Sequence, residues 1–320
     1  MRVISFISSS KSCRFLAAVL LAAVAATEFT FSRVLPSSCY THEVDKALYE
    51  IGREAGEADI VFIGDSVGGQ MIDLAVTHGY GNGRWRNLAT NQVIEMPGHY
   101  FVLRRYLARC AKKPRAVVFV GTAPESVNLD QYSDENYVQR CFLRWEEIAA
   151  LTRAKGLRFG LVMAVHKFFP SYRYRNALQS KMLGFSNAEI STAASQASKA
   201  ASGGPELYKI EGSLYDEYLH KLLDMLAREG IDFYYIFPPV SRSVWLEHAS
   251  RYKALVSFLD SLRPAYPNFR YTGELRVYPD SYFYNDKLHI LRGAKKVEVT
   301  RILLEEVIGS LTGPGPAVSI

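Results

Sequence analysis

The chain has 320 residues, 48% of them hydrophobic and 22% charged. That balance excludes a disordered, collagen-like or coiled-coil protein and allows one large domain or two small ones. The net charge of +6 falls to +3 once Arg2, Lys11 and Arg14, which precede the first acidic residue Glu28, are set aside. The remaining excess is spread along the chain without a basic stripe interleaved with aromatics, so no nucleic-acid partner is expected.

The amino terminus reads as a targeting element. The three basic residues flank a 12-residue apolar run, Phe15 to Ala26. That length is short for a membrane span and right for the core of a signal peptide, and Ala23-Val24-Ala25 supplies an Ala-x-Ala cleavage site. Phe29, Phe31, Val34 and Leu35 continue the apolar character past Glu28. A retained single-pass anchor of the inner membrane, its amino terminus in the cytoplasm, is therefore the other reading. Both readings place the rest of the chain outside the cytoplasm, in the periplasm or beyond. The expected division is residues 1–38 as anchor or signal, 39–312 as one domain, and a Gly/Pro-rich tail at 313–320.

Beyond the targeting segment, apolar runs of strand character alternate with helical patterns. Asp59–Ile63 is the first strand and Gly69–His78 the first helix. Trp85–Ala89 is the second strand, followed by a helix over His99–Lys112. Ala116–Val120 is the third, followed by a helix over Asp134–Lys155. Arg158–Val165 and Ile231–Phe237 are read as the fourth and fifth strands. Leu207–Glu229, Val244–Leu262 and Arg292–Ile308 complete the helices. Strands and helices of these lengths in alternation predict an α/β fold with a mainly parallel central sheet. An insertion at about 166–204 interrupts the rhythm, with Tyr172 and Arg173 in an aromatic and basic stretch. It is either a surface excursion or a lid that meets substrate.

Cys39, Cys110 and Cys141 remain beyond the targeting segment. An exported chain allows one bridge and one free thiol among them, and their spacing fits no metal site. No metal and no organic cofactor is expected.

Two segments carry chemistry. In Ile63-Gly64-Asp65-Ser66 a buried strand empties into a serine, at the strand end where open α/β sheets place ligands. Serine is a weak nucleophile near neutral pH without a base to take its proton. Asp286-Lys287-Leu288-His289 supplies one near the other end of the chain. His289 is the base, and Asp286, three residues earlier, holds its imidazole in the required tautomer.

These two blocks resemble those of the SGNH/GDSL hydrolase superfamily. Gly64-Asp65-Ser66 is similar to its nucleophile block, and Asp286-Lys287-Leu288-His289 with Gly293 to its acid–base block. The resemblance implies a three-layer α/β/α fold of flavodoxin-like type and ester chemistry through an acyl-enzyme. The middle blocks depart from the pattern. Asn87 to Gln92 lacks the glycine that offers an amide to the oxyanion. Gly121-Thr122-Ala123-Pro124-Glu125 lacks the usual asparagine. The backbone amide of Ser66 and the side chain of Asn91 are the oxyanion candidates in their place, with Asn128 a weaker one. Joined to an amino-terminal anchor, these departures resemble the cell-envelope branch of the superfamily. That branch implies an acylated carbohydrate as substrate and a membrane-bound acyltransferase as partner, with Tyr172 and Arg173 as substrate contacts. The alternative is an accessory protein that keeps the fold and has lost most of its catalysis.

Overall fold

The computed structural model describes residues 11–38, 57–72, 84–89, 95–120, 144–173, 210–271, 275–285, 287 and 289–312. The chain divides into two units, Met1–Asp45 with Gln139–Gly203 and Lys46–Val138 with Gly204–Ile320.

The second unit is built on a parallel sheet. Strands β1 (Ile60–Gly64) and β3 (Ala116–Val120) are buried at every position. Continuous apolar runs of this kind suit strands flanked by parallel neighbours with no solvent face. β2 (Trp85–Asn87), β4 (Asp232–Ile236) and β6 (Phe269–Tyr271) complete the sheet in the order β2-β1-β3-β4-β6. All four pairings are parallel, with Ile60 opposite Trp85 and Ala116, Gly64 opposite Val120, Val120 opposite Ile236, and Phe233 opposite Phe269. A separate parallel pair, β5 (Val240–Ser241) with β7 (Val277–Tyr278), follows the end of β4.

Side chains of alternate parity meet different helices, as the period of two in a strand requires. Ile60, Phe62, Val118, Val120, Tyr234 and Ile236 share one buried cluster with α2 (Ser66–Met71) and α9 (Ala294–Thr312), through Val67, Met71, Val299, Leu303 and Leu304. The other parity meets α3 (Glu95–Leu107) and α7 (Leu214–Arg228). Phe119 packs on His99 at 5.2 Å and on Tyr235 at 5.1 Å, and Tyr235 bonds Tyr215 hydroxyl to hydroxyl at 2.8 Å. Tyr218 of α7 packs on Tyr100 and Phe101 of α3. Each large apolar side chain so buried contributes about 1.5–3 kcal/mol. β6 is missing from the expected strands: three residues, one of them the exposed Arg270, carry too little pattern to read.

The first unit is helical. It contains α1 (Lys11–Ser38), α4 (Trp145–Lys155), α5 (Leu157–Phe168) and α6 (Pro170–Arg173). α1 is apolar enough to be a signal or a membrane anchor, its most apolar window running Arg14–Phe31. Thr27 and Thr30 donate their hydroxyls to Ala23 and Ala26 carbonyls one turn back, so neither exposes an unmet polar group along this face.

Here one expectation is overturned: Arg158–Val165 is not a fourth strand but the body of α5. Phe159, Met163 and His166 are buried while Leu157, Leu161, Val165 and Phe168 are exposed. Both sets step by three or four residues, the period of a helix. The short apolar run concealed this because both faces are apolar. Gly156, at φ +89, ends α4 and begins α5. At Gly160 a β-carbon would stand 2.6 Å from the hydroxyl of Thr152, so glycine lets the two helices close on each other. The segment 166–204 therefore follows a helix, and its part beyond 173 lies outside the described residues.

Candidate functional site at the carboxyl edge of the sheet

The chain leaves β1 toward β2 on one side and later returns to β3 on the other, so the strand order reverses between β1 and β3. A crevice at such a reversal, beyond the carboxyl ends of the strands, is where doubly wound sheets bind ligands. Gly64, Asp65 and Ser66 occupy that position.

Each of the three has a physical role. Gly64 sits at φ +148, and a β-carbon there would meet the carbonyl oxygen of Val120 at 2.6 Å. Only glycine allows the end of β1 to lie this close to the end of β3. Asp65 is fully buried and caps α2, its Oδ1 accepting from the amides of Val67 at 2.8 Å and Gly68 at 3.2 Å. Gly68 continues the close approach, since a β-carbon would stand 2.9 Å from that of Val120. Ser66 is thus the first residue of a helix held directly over the reversal. The sequence signal for the Asp65 cap is an Asp immediately before a helix start.

The second block is reached from β7. A 3₁₀ turn, Asp280–Tyr282, leads into a tight loop closed by an antiparallel bridge between Phe283 and Ile290. Tyr284 N donates to His289 O at 2.8 Å, Lys287 N to Tyr284 O at 2.9 Å, and Leu291 N to Tyr282 O at 2.9 Å. Lys287 takes a left-handed φ of +61 at the bend. Asp280 steadies the base of the loop by accepting from Ser243 N at 3.1 Å, which holds its carboxyl below the usual range. His289 itself is half-buried.

Residues beside the two blocks share one buried cluster. Ile290, next to His289, and Val67, next to Ser66, belong to the same buried cluster, together with Phe283 and Met71. Thr300 on α9, itself fully buried, brings its hydroxyl to 2.5 Å from the carbonyl of Met71 across 229 positions of sequence, and to 2.8 Å from the carbonyl of Lys296 one turn back in its own helix. Segments from opposite ends of the unit are thereby fixed against each other beside the strand reversal.

Asp286, Asn91, Asn128 and the side chains of Ser66 and Arg173 lie outside the described residues. Tyr172 belongs to the helical unit, exposed, with its ring 4.8 Å from that of His166. Cys110 is a buried free thiol whose pKa burial pushes up, while Cys39 and Cys141 lie outside the described residues. Among the described residues no group of three or more His, Cys, Asp or Glu side chains is arranged to hold a metal ion. Neither protein-family models nor curated proteins give a match to this sequence.

Proposed function

We propose that the chain is a serine-dependent acyl-transferring enzyme of the SGNH type, either an esterase or an O-acyltransferase, acting on acylated cell-envelope carbohydrate. One observation supports it above the rest. The serine block starts a helix over the β1/β3 reversal, and the residues beside Ser66 and His289 pack into one cluster. In this reading α2 and α9 on one parity of the strands, and α3 and α7 on the other, form the outer layers of a three-layer sandwich.

The chemistry follows from the residue types. Ser66 attacks the acyl carbonyl while the imidazole of His289 takes its proton. Asp286 keeps that imidazole in the productive tautomer and stabilises the imidazolium. His289 then protonates the leaving alcohol, and water or a sugar hydroxyl takes the acyl group from Ser66 by the reverse path. The Ser66 amide and Asn91 stabilise the oxyanion. α1 serves as a single-pass anchor that holds the catalytic unit outside the cytoplasmic membrane. A membrane-bound acyltransferase is the matching partner, and Tyr172 and Arg173 contact the polymer.

Fluorophosphonate labelling of the purified full-length chain tests the reading. Wild type should label and Ser66→Ala should not. Equal labelling, or none in either, would favour the accessory role, for which the missing glycine in Asn87–Gln92 and missing asparagine in Gly121–Glu125 speak.

A further inference from the structure

We infer that α5 and α6 form a second membrane contact, lying in the bilayer interface beside the end of α1. This rests on the retained-anchor part of the proposed function and not on its catalysis. On α5, Leu157, Leu161, Val165 and Phe168 are 72%, 60%, 40% and 66% exposed. At successive steps of four, four and three residues they fall within about 80° of arc on an ideal helix, so they make one continuous apolar stripe. Trp145 of α4 extends it, half-exposed, with its ring 5.4 Å from that of Phe168. Tyr172 adds an exposed ring from α6. The opposite side of α5 is spent on the unit's own interior, through Phe159 and Met163. A stripe of this size in contact with water is costly, and soluble chains rarely keep one uncovered.

The occupant is identified by what the stripe is joined to. Glu28 lies inside the apolar window of α1, three residues before its end at Phe31. Its carboxylate accepts from the backbone N of Ser171 at 2.9 Å and from the Ser171 hydroxyl. α6 is therefore attached to α1 roughly 5 Å short of the end of the apolar window, by the rise of a helix. The carboxylate that would otherwise be costly at that depth is met by two donors. An amphipathic helix at the interface buries its apolar face about 5–10 Å deep, which is the same level. Composition agrees. Residues 144–173 carry six Arg or Lys against two Glu, with Arg158 and Lys167 on α5 itself. Basic residues beside an apolar stripe, with Trp145 and Tyr172 both near its carboxyl-terminal end, suit an anionic lipid surface.

The test uses the full-length chain in phosphatidylcholine–phosphatidylglycerol nanodiscs, with bromine placed shallow or deep on the acyl chains. Trp145 is one of three tryptophans, and Trp85 is buried. Shallow bromine should remove about one third of the emission, deep bromine clearly less, because interfacial residues sit near the headgroups. Trp145→Phe, which keeps the ring contact with Phe168, should abolish the difference. Resistance to alkaline carbonate extraction reports on α1 independently. Extraction-resistant protein with unquenched Trp145 would overturn the interfacial contact and leave the anchor standing. Quenching lost when two chains share a disc and crosslink through α5 would assign the stripe to a second copy and also overturn it. Extractable, unquenched protein would remove both the anchor and this inference.

Discussion

Replacing Gly64 by alanine probes the contact on which the site is built. Two costs combine. A non-glycine residue held at φ +148 is strained by about 1–3 kcal/mol. The new β-carbon also arrives 2.6 Å from the Val120 carbonyl oxygen, where backbone on both sides resists moving. Overpacking of that kind costs about 1–3 kcal/mol more. The expected loss is about 2–6 kcal/mol, or on the order of 10 °C in Tm for a unit of this size. Gly230→Ala separates the two costs. It has φ +66 with nothing within 4 Å of its β-carbon, so only conformational strain of about 1–2 kcal/mol applies. Gly68→Ala isolates the other. Helical alanine is preferred over glycine by about 1 kcal/mol, which opposes the 2.9 Å contact with Val120. Chemical denaturation of all three variants, followed by circular dichroism, gives the order. Gly64→Ala no more costly than Gly230→Ala would show that β1 and β3 do not close on each other, and the site geometry would fail with it.

His99 supplies a pH test. Fully buried on α3 against Phe119, it has a pKa lowered by desolvation to about 3. The unfolded chain takes up the proton near pH 6.5 and the folded chain does not, so stability falls as pH drops from about 6.5 toward 3, by about 2 kcal/mol at pH 5. His99→Leu should flatten that slope in denaturant titrations, and an unchanged slope would mean other groups carry it. Asp286→Asn should stay folded and lose about 10²–10⁴ in turnover of an acetyl ester with little change in KM; unchanged turnover would reduce Asp286 to a loop carboxylate. Thr300→Val removes the donor to Met71 and should cost about 1–3 kcal/mol, with a larger fall in turnover than Ser261→Ala, whose hydroxyl bonds Phe258 O within its own helix. Equal effects would mean that the clamp between α2 and α9 does not position the site.

The parts of this fold legible in the sequence are those where one physical demand dominates. Ile60–Ile63 and Ala116–Val120 are apolar at every position because parallel neighbours and helices leave no solvent face, and both were placed to within a residue. α7 was legible because its buried set, Leu219, Leu222, Leu223 and Leu226, keeps a helical step against an acidic and basic outer face. α5 was misread because it meets two demands at once. One side packs inside its unit and the other stays exposed, so its pattern is apolar in every direction. Gly156 and Gly160 were the corrective signals, one breaking the preceding helix and the other letting it pack. At the candidate site, residue chemistry singles out Ser66 and His289 in the sequence but gives no hint of Thr300. A lone threonine in a helix carries no sign of a partner at Met71.

The cap on α2 bears on how fast such an enzyme can be. A helix start over a strand reversal offers free amides to an oxyanion, and here Asp65 takes those of Val67 and Gly68. The Ser66 amide is the donor of that turn assigned to the oxyanion in the proposed reaction. Hydrolases of the proposed kind draw further donors from the loops after β2 and β3, and the residues those loops ordinarily supply are absent from Asn87–Gln92 and Gly121–Glu125. Each missing donor removes about 3 kcal/mol, a factor of about 10²–10³ in turnover. A serine enzyme with the Ser66 amide alone would thus turn over slowly on a small soluble ester while its nucleophile still reacts with a fluorophosphonate. If Asn91 replaces the missing donor, Asn91→Ala should lower turnover by the same factor and leave labelling of Ser66 detectable. Slow turnover combined with positive labelling therefore distinguishes a weakened oxyanion site from a lost triad.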